Sequence, residues 1–244
     1  MKEHSVDYFN KLSVLIPVFN EESTLSKTVN KVLQANISGL ILEIIIVDDC
    51  STDNTWNEIK VICEKHECVV SKRHAINKGK GAALRTAVES ATGQVILIQD
   101  ADLEYDPKDY PNLLSPILNN HADAVYGSRF RTNYESRVLY FWHRIANGLL
   151  TLFSNMFTNL NLTDMETGYK VFRKEIISQI KLCENRFGIE PEITAKIAKI
   201  PNIRIYEVGI SYFGRTYEEG KKIGMKDAFR ALYAIIKYGC LHKN

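Results

Sequence analysis

The sequence predicts an α/β fold in which helices flank a mostly parallel central sheet. Four apolar runs end in polar or turn residues and predict buried strands, at residues 12–16, 43–47, 95–98 and 122–126. Helical patterns lie between them, at about residues 22–34, 53–65, 81–91 and 107–118. This order of strands and helices is typical of parallel strands joined by right-handed crossovers.

The regular alternation ends after Arg131. An aromatic-rich segment covers residues 137–160, a polar turn covers 161–167, and residues 168–172 predict a short strand or loop. A helix around 191–198, a strand at 203–208 and a final helix at 225–238 complete the chain. With no internal repeat or linker, a chain of 244 residues predicts one domain over residues 1–244.

Composition excludes several classes of protein. The formal net charge is only +2, from 31 basic and 29 acidic residues, so no overall field favours nucleic acid. The five cysteines form no C-x-x-C pair, which argues against a zinc knuckle or a disulfide framework and favours a reducing, cytoplasmic compartment. The first residues lack the apolar core of a signal peptide, and no window approaches the roughly 18 apolar residues of a membrane span. Neither secretion nor membrane crossing is expected.

Polar residues follow each predicted strand of the first half. They read PVFNE at 17–21, DDCSTD at 48–53, DADLE at 100–104 and GSR at 127–129. In an open parallel sheet, ligands bind outside the carboxyl ends of the strands. These four loops are therefore the candidate site.

Three carboxylates in the third loop are candidate metal ligands. Asp100, Asp102 and Glu104 stand two apart, so in extended backbone their side chains point to one side. Magnesium takes one or two carboxylates and completes its shell with water and substrate phosphates, so such a site holds a diphosphate. For an isolated D-x-D, the alternative is that aspartate simply favours turns and helix caps.

Two further loops suggest nucleotide contacts. Asp48 and Asp49 are placed to accept hydrogen bonds from a base or ribose, although Ser51 or Thr52 capping the next helix explains the same acids. The run NKGKG at 77–81 places flexible backbone and two positive charges, those of Lys78 and Lys80, directly before a helix, which suits a phosphate neighbour.

These motifs together resemble family 2 glycosyltransferases with the GT-A fold. The runs SVLIPVFNEESTL, IIIVDDCSTDNTW, NKGKGAALRTA, ILIQDADLEYDP and YGSRF occur in that order over residues 12–131. TDMETGYKVF, FGIEPEIT and IYEVGISYFGRTYEEGKK continue the likeness more loosely. The chain looks similar to the branch that holds dolichol-phosphate mannosyltransferase and bacterial polyprenyl-phosphate glycosyltransferases. That likeness makes 12–131 the nucleotide- and metal-binding half, and 132–244 the acceptor-binding half with amphipathic interfacial helices.

The resemblance implies a donor site for a GDP- or UDP-sugar with Mg²⁺ or Mn²⁺. The metal ligands would be Asp100, Asp102 and Glu104, the last replacing a glutamine common in the mannosyltransferases and adding negative charge. The residues expected around the nucleotide are Pro17, Phe19, Asn20, Glu21, Asp48, Asp49, Lys78, Gly79 and Ala101.

The resemblance also implies an acceptor site for a polyprenyl phosphate. Its basic residues would be Arg129, Arg215 and Lys222, although RTYEEGKK at 215–222 departs from the branch's pattern and leaves Lys221 as an alternative. The branch places an arginine and a serine where this chain has His143 and Asn147, one helical turn apart; ordinary helix packing explains these two equally well.

The nature of the acceptor decides the mechanism. A lipid phosphate arrives as an anion and attacks the anomeric carbon without a general base, with inversion, so the protein positions it and stabilises charge. A sugar hydroxyl needs a base, for which Asp164 or Glu166 would be the candidates. We favour the lipid because residues 137–160 suit a membrane interface, which predicts a protein peripheral to the cytoplasmic membrane face. A core or dimer helix pair is the alternative for 137–160 and 225–238, and a homo-oligomer or a membrane-protein partner is compatible with it.

Three other classes fit the motifs less well. A sugar-nucleotide-binding protein with a dead site has no need of Asp100, Asp102 and Arg129 together. A nucleotidyltransferase needs a glycine-rich, arginine-containing loop after the first strand, where this chain has PVFNE. A flavodoxin-like receiver module explains the acidic strand ends but not the basic second half.

Overall fold

The computed structural model describes residues 9–131, 137–138, 140–214 and 225–241. Within these residues, seven strands form one sheet in the order β3-β2-β1-β4-β6-β5-β7. The strands are β1 Lys11–Val18, β2 Ile41–Asp48, β3 Val69–Arg73, β4 Val95–Ile98, β5 Ala124–Ser128, β6 Lys170–Arg173 and β7 Ile205–Gly209. The helices are α1 Leu25–Leu33, α2 Thr55–Lys65, α3 Lys80–Ser90, α4 Tyr110–Leu118, α5 Phe141–Thr158, α6 Lys174–Ile177, α7 Ile189–Ile197 and α8 Met225–Ile236.

The sheet is parallel except at β6. Strand β1 pairs in parallel with β2 and β4, and β5 with β7, whereas β6 runs antiparallel to both β4 and β5. A strand that runs against its neighbours begins at the edge where they end. The residues that lead into β6 therefore share an edge with the ends of the parallel strands.

Helices cover both faces of the sheet, which explains why its central strands are continuous apolar runs. On one face Val14 and Ile16 of β1 pack with side chains of α1, α2 and α4. On the other face Leu15 of β1 packs with side chains of α3, α7 and α8. This arrangement confirms the predicted fold of a mostly parallel sheet flanked by helices.

The prediction of individual elements was less complete. Strand β3 was not predicted, because its sequence VVSKR lies half exposed at the sheet edge and shows no apolar run. The segment left as strand or loop at 168–172 contains β6, whose reversed direction was not predicted. The aromatic-rich segment forms α5, and the turn before α4 is a 3₁₀ helix at Pro107–Asp109.

Helix α5 packs with α8 in the second half of the chain and is itself largely exposed. Only Thr151 and Ser154 of α5 are buried, and the helix packs against α7 and α8. Glu184 fixes α8 and the residues that follow it. Its carboxylate accepts hydrogen bonds from Arg230 of α8 and from Lys237 and Tyr238, which come directly after α8, at 3.1, 3.0 and 2.9 Å. Among the helices of the described residues, none combines the length and apolar character that crossing a membrane requires.

Candidate active site

A cavity of about 400 Å³ opens at the carboxyl ends of the parallel strands. Loops after β1, β2, β4 and β5 line it, together with the start of α3, the segment before β6 and the start of α7. The lining residues are Pro17, Val18, Phe19, Glu21, Asp49, Asn77, Gly79, Lys80, Ala83, Asp100, Ala101, Asp102, Glu104, Tyr105, Arg129, Glu166, Gly168, Arg186, Phe187, Glu190 and Tyr212. Ten of the predicted site residues are among them.

Asp49 organises the loop that precedes α3. Its carboxylate accepts hydrogen bonds from the backbone N–H groups of Lys78 and Gly79 at 2.9 and 2.6 Å, and lies 2.7 Å from Nδ1 of His74. Gly79 has a φ of +103°, and a side chain there would collide with the backbone carbonyl of Asn185. The predicted glycine is thus required by both conformation and space.

Three predicted donor-site residues lie beside the cavity rather than on its wall. Asp48 is fully buried and pairs with Arg73, 2.9 Å from its Nε. The side-chain oxygen of Asn20 accepts a hydrogen bond from the backbone of Thr52 at 2.8 Å, which joins the first two loops. Lys78 contributes its backbone N–H, while its side chain is exposed. These residues shape the loops that carry the lining groups.

The three predicted metal ligands all line the cavity, but each is already engaged. Asp100 Oδ1 lies 2.8 Å from Nζ of Lys80. Asp102 Oδ1 accepts the backbone N–H of Glu104 at 3.1 Å, and Glu104 Oε2 accepts the hydroxyl of Tyr212 at 2.8 Å. No three acidic, histidine or cysteine side chains of the described residues converge as a metal-binding group. Carboxylates at a cavity wall nevertheless fit Mg²⁺ or Mn²⁺, which take one or two of them alongside substrate phosphates.

Lys80 joins the metal-side loop to α7. Its ammonium lies 2.8 Å from Asp100 and 3.0 Å from Glu190, and its side chain is 19% exposed. Burial by itself would lower the pKa of Lys80, but the charges of the two carboxylates outweigh it and hold that pKa well above its usual value. A permanent positive charge therefore stands in the cavity wall beside Asp100.

Arg129 is fixed by a buried carboxylate. Asp164 is fully buried and accepts hydrogen bonds from Nε and Nη2 of Arg129 at 2.6 and 2.7 Å, and from its backbone N–H at 3.0 Å. Asn147 on α5 adds a bond to Asp164 at 3.1 Å. Burial by itself would raise the pKa of Asp164, but Arg129 outweighs it and lowers that pKa, so the pair is ionised.

Two of the remaining predicted acceptor residues, Asn147 and His143, do not line the cavity. Asn147 reaches it only through Asp164 and Arg129. His143 lies on the first turn of α5 against Tyr140, with ring centroids 5.4 Å apart. Arg215, Lys221 and Lys222 lie outside the described residues.

The structure adds lining groups that the sequence analysis did not single out. Tyr212 lies under Arg129, with 5.2 Å between the guanidinium carbon and the ring centroid, and bonds Glu104. Glu190 stands inside the motif FGIEPEIT, where no site residue was named, and Lys80 belongs to the predicted phosphate loop NKGKG but was not among the named site residues. Position within a quoted motif was the available signal, since neither residue ends a strand.

Comparisons with known proteins identify the class. The family model described as "Glycosyl transferase family 2" matches residues 13–181, and the chain belongs to this family. The predicted family is thereby confirmed.

Curated relatives match across most of the chain. A dodecaprenyl-phosphate galacturonate synthase of Rhizobium johnstonii is 29% identical over 93% of this chain. A dolichol-phosphate mannosyltransferase of Pyrococcus furiosus is 28% identical over 93% of it. The chain spans 65% and 64% of the lengths of these two relatives. A Methanococcus voltae UDP-N-acetylglucosamine–dolichyl-phosphate N-acetylglucosaminyltransferase is 26% identical, over 91% of this chain and 94% of its own length.

Solved structures share the fold. Glucosyl-3-phosphoglycerate synthase from Mycobacterium tuberculosis, in complex with Mn²⁺, UDP and phosphoglyceric acid, matches with a TM-score of 0.73 at 18% identity. The match covers 96% of this chain and 80% of that protein. This likeness confirms the predicted GT-A fold.

Proposed function

We propose that the chain is an inverting glycosyltransferase that moves a sugar from a GDP- or UDP-sugar to a polyprenyl phosphate at a membrane surface. The observation that carries this proposal is the position of Arg129, a fixed cation on the wall of a carboxylate-lined cavity. Its partner Asp164 also bonds Asn147 of α5, so the arginine lies close to that helix. The named curated relatives are sugar transferases that act on polyprenyl or dolichyl phosphates.

The first half of the chain would hold the donor. Pro17, Phe19, Glu21 and Asp49 would contact the nucleoside, and Asp100 and Asp102, with Glu104, would hold Mg²⁺ or Mn²⁺. When bound, the metal supplies positive charge to the departing diphosphate. Related solved structures contain Mn²⁺ with UDP, which supports a divalent cation here.

The second half of the chain would hold the acceptor. An acceptor phosphate needs positive charge and alignment rather than removal of a proton. Arg129 offers both, because Asp164 fixes its orientation through two side-chain bonds. Asp164 itself is fully buried and committed to Arg129, which argues against its predicted role as a base for a sugar hydroxyl.

A groove on α5 suits the lipid chain. It encloses about 500 Å³ between α5 and the turn before β6, and includes Leu149, Leu152 and Thr163. Thr163 lies 2.6 Å from Ser128, the neighbour of Arg129, so the groove leads toward the arginine.

An exposed apolar face surrounds this groove. On α5 the exposed apolar side chains are Phe141, Trp142, Ile145, Leu149, Leu152, Phe153, Met156 and Phe157, and on α8 they are Phe229, Tyr233 and Ile236. Patches of this kind mark interfaces with membranes or proteins. We assign the face to a membrane surface because its helices are amphipathic and the proposed acceptor is a lipid.

A donor panel tests this function. GDP- and UDP-sugars are offered to a short polyprenyl phosphate in detergent, with Mn²⁺ and with chelator. We expect lipid-linked sugar that the chelator abolishes, and that Asp102→Asn reduces at least ~100-fold because a main charge-stabilising group is lost. Glu89→Gln, an exposed carboxylate on α3, is the control and should retain full activity.

Each other outcome removes a stated part of the proposal. Transfer to free sugars with none to the lipid would remove the acceptor and leave Glu166, which lines the cavity, as the candidate base. Turnover that survives chelation would remove the metal. Tight donor binding without any transfer would indicate a binding protein instead.

A further inference from the structure

Two carboxylates of the cavity wall are used neither by the nucleotide nor by the acceptor in the proposed function. Glu190, on the first turn of α7, is 7% exposed, and its Oε2 is buried with no hydrogen-bond partner among the described residues. Glu166, which precedes β6, has a buried Oε1 in the same condition. Both residues line the cavity. Buried acceptor oxygens without a donor are rare in native proteins, so a bound ligand that donates hydrogen bonds would account for both oxygens.

The sheet order places these carboxylates beyond the diphosphate. The nucleoside loops follow β2 and β1, the diphosphate loop follows β4, and β6 lies next in the sheet. Gly168, between Glu166 and β6, is so close to Asp100 that a side chain there would collide with Oδ2. Glu190 is joined to Asp100 through Lys80. A donor laid along this edge therefore puts its sugar beside Glu166 and Glu190.

We propose that Glu166 and Glu190 are the groups that select the donor sugar, and that they select an uncharged sugar through its hydroxyl groups while rejecting uronic acids. This inference rests on the proposed function for the donor's orientation. Sugar hydroxyls are hydrogen-bond donors and would satisfy the two orphaned oxygens. A uronic acid replaces one such donor by a carboxylate, which can only accept hydrogen bonds and which places a negative charge beside Glu190.

The local charges support this selection. Burial raises the pKa of Glu166 well above its usual value, and the negative charge of Glu190 adds to the rise. The positive charges of Lys170 and Arg129 act against this rise without cancelling it, so a further negative charge beside Glu190 is disfavoured. The nearby ammonium of Lys80 is held between Asp100 and Glu190, and Lys170 donates to the backbone carbonyls of Met165 and Thr167. Arg186 also lines the cavity, with an exposed side chain.

Matched donors test the wild-type protein directly. Calorimetry in Mn²⁺ compares UDP-glucose with UDP-glucuronic acid, and GDP-mannose with GDP-mannuronic acid, so that each pair differs only at C6. We expect the uncharged donor of the accepted base to bind at least about tenfold more tightly than its uronic acid. Equal binding, or tighter binding of the uronic acid, would overturn the inference and make Arg186 the group that recognises the sugar.

Variants assign the selection to the two carboxylates. Glu166→Gln and Glu190→Gln should each reduce the tenfold preference to about threefold or less, while the affinity for UDP or GDP without sugar stays unchanged. Glu89→Gln, which changes an exposed side chain of α3, should keep the full preference. Should Glu190→Gln unfold because Lys80 loses its partner, Glu166→Gln breaks no ion pair of the described residues and carries the test alone. A preference that survives in the folded variants would refute the assignment.

The calorimetry and the donor panel together separate this inference from the proposed function. A protein that prefers uncharged donors but transfers nothing to polyprenyl phosphate keeps the sugar selection and loses the acceptor. A protein that transfers a uronic acid to the lipid keeps the function and loses the selection. A protein that binds neither UDP nor GDP in Mn²⁺ loses both.

Discussion

Replacement of Asp164 by asparagine should destabilise the protein strongly. Asp164 is fully buried and Arg129 has a side-chain exposure of 13%, so neither charge can be hydrated when its partner is lost. Asp164→Asn keeps the shape of the side chain but removes its negative charge and replaces one acceptor oxygen by an NH₂ donor that faces the guanidinium. Breaking a buried pair in this way costs about 3–5 kcal/mol, because one charge is left uncompensated.

That loss is large enough to measure in two ways. For a domain of this size each kcal/mol lowers Tm by roughly 2–4 °C, so Asp164→Asn should lower it by about 6–20 °C. Urea unfolding followed by circular dichroism gives the free energy directly. The double variant Arg129→Gln, Asp164→Asn should lose at least about 1 kcal/mol less free energy of unfolding than the two single variants lose together, because both charges are then gone.

An ion pair whose carboxylate is exposed provides the control. Glu175 lies 3.6 Å from Arg173 with a side-chain exposure of 67%, and Glu175→Gln makes the same chemical change. We expect its effect to stay within about 0.5 kcal/mol. A loss below about 1 kcal/mol for Asp164→Asn, or additive single losses, would show that Asp164 does not compensate Arg129 as described.

Three further outcomes follow from the packing, the titration and the exposed face. Gly79→Ala should cost more than about 2 kcal/mol in urea unfolding because the new Cβ meets a backbone carbonyl at φ +103°, whereas Gly39→Ala, at φ +80° with nothing within 4 Å, should cost about 1 kcal/mol. Burial by itself would raise the pKa of Glu43, but hydrogen bonds from a lysine and two hydroxyl side chains outweigh it and lower that pKa to about 2. Its stabilisation is therefore present above pH 4.5 and lost as the pH falls from about 4.5 to 2, so Glu43→Gln should flatten the dependence of Tm on pH in that window. Phe141→Ser should weaken binding to anionic vesicles, measured by sedimentation, about tenfold. Ile41→Ser is the control and should not weaken it, because Ile41 is 65% exposed, against 66% for Phe141, but lies at the start of β2. Equal losses for the two variants would rule out the membrane face.

The sequence predicted best those features that depend on short-range patterns. Apolar runs located β1, β2 and β4 because helices cover both faces of these strands. Strand β3 escaped because Val69–Arg73 is an edge strand with charged, exposed residues. The reversed direction of β6 escaped because a strand pattern carries no information on its neighbours.

The same limit applies to the candidate site. Asp100, Asp102 and Arg129 were predicted because each follows a strand, and all three line the cavity. Lys80 and Glu190 begin helices more than a hundred residues apart, and only the tertiary fold brings them within 3.0 Å. The pairing of Arg129 with Asp164 is likewise a contact across 35 residues, which no local pattern contains.

Two consecutive residues, Glu184 and Asn185, connect the end of the chain to the wall of the cavity. The carboxylate of Glu184 binds Arg230, Lys237 and Tyr238, while the carbonyl of its neighbour Asn185 accepts a bond from the first turn of α3 at 3.2 Å. A displacement of the end of the chain would therefore reach α3, which begins at Lys80, through these two residues. If the exposed face of α5 and α8 binds a membrane as proposed, these two consecutive residues would couple membrane binding to the shape of the cavity.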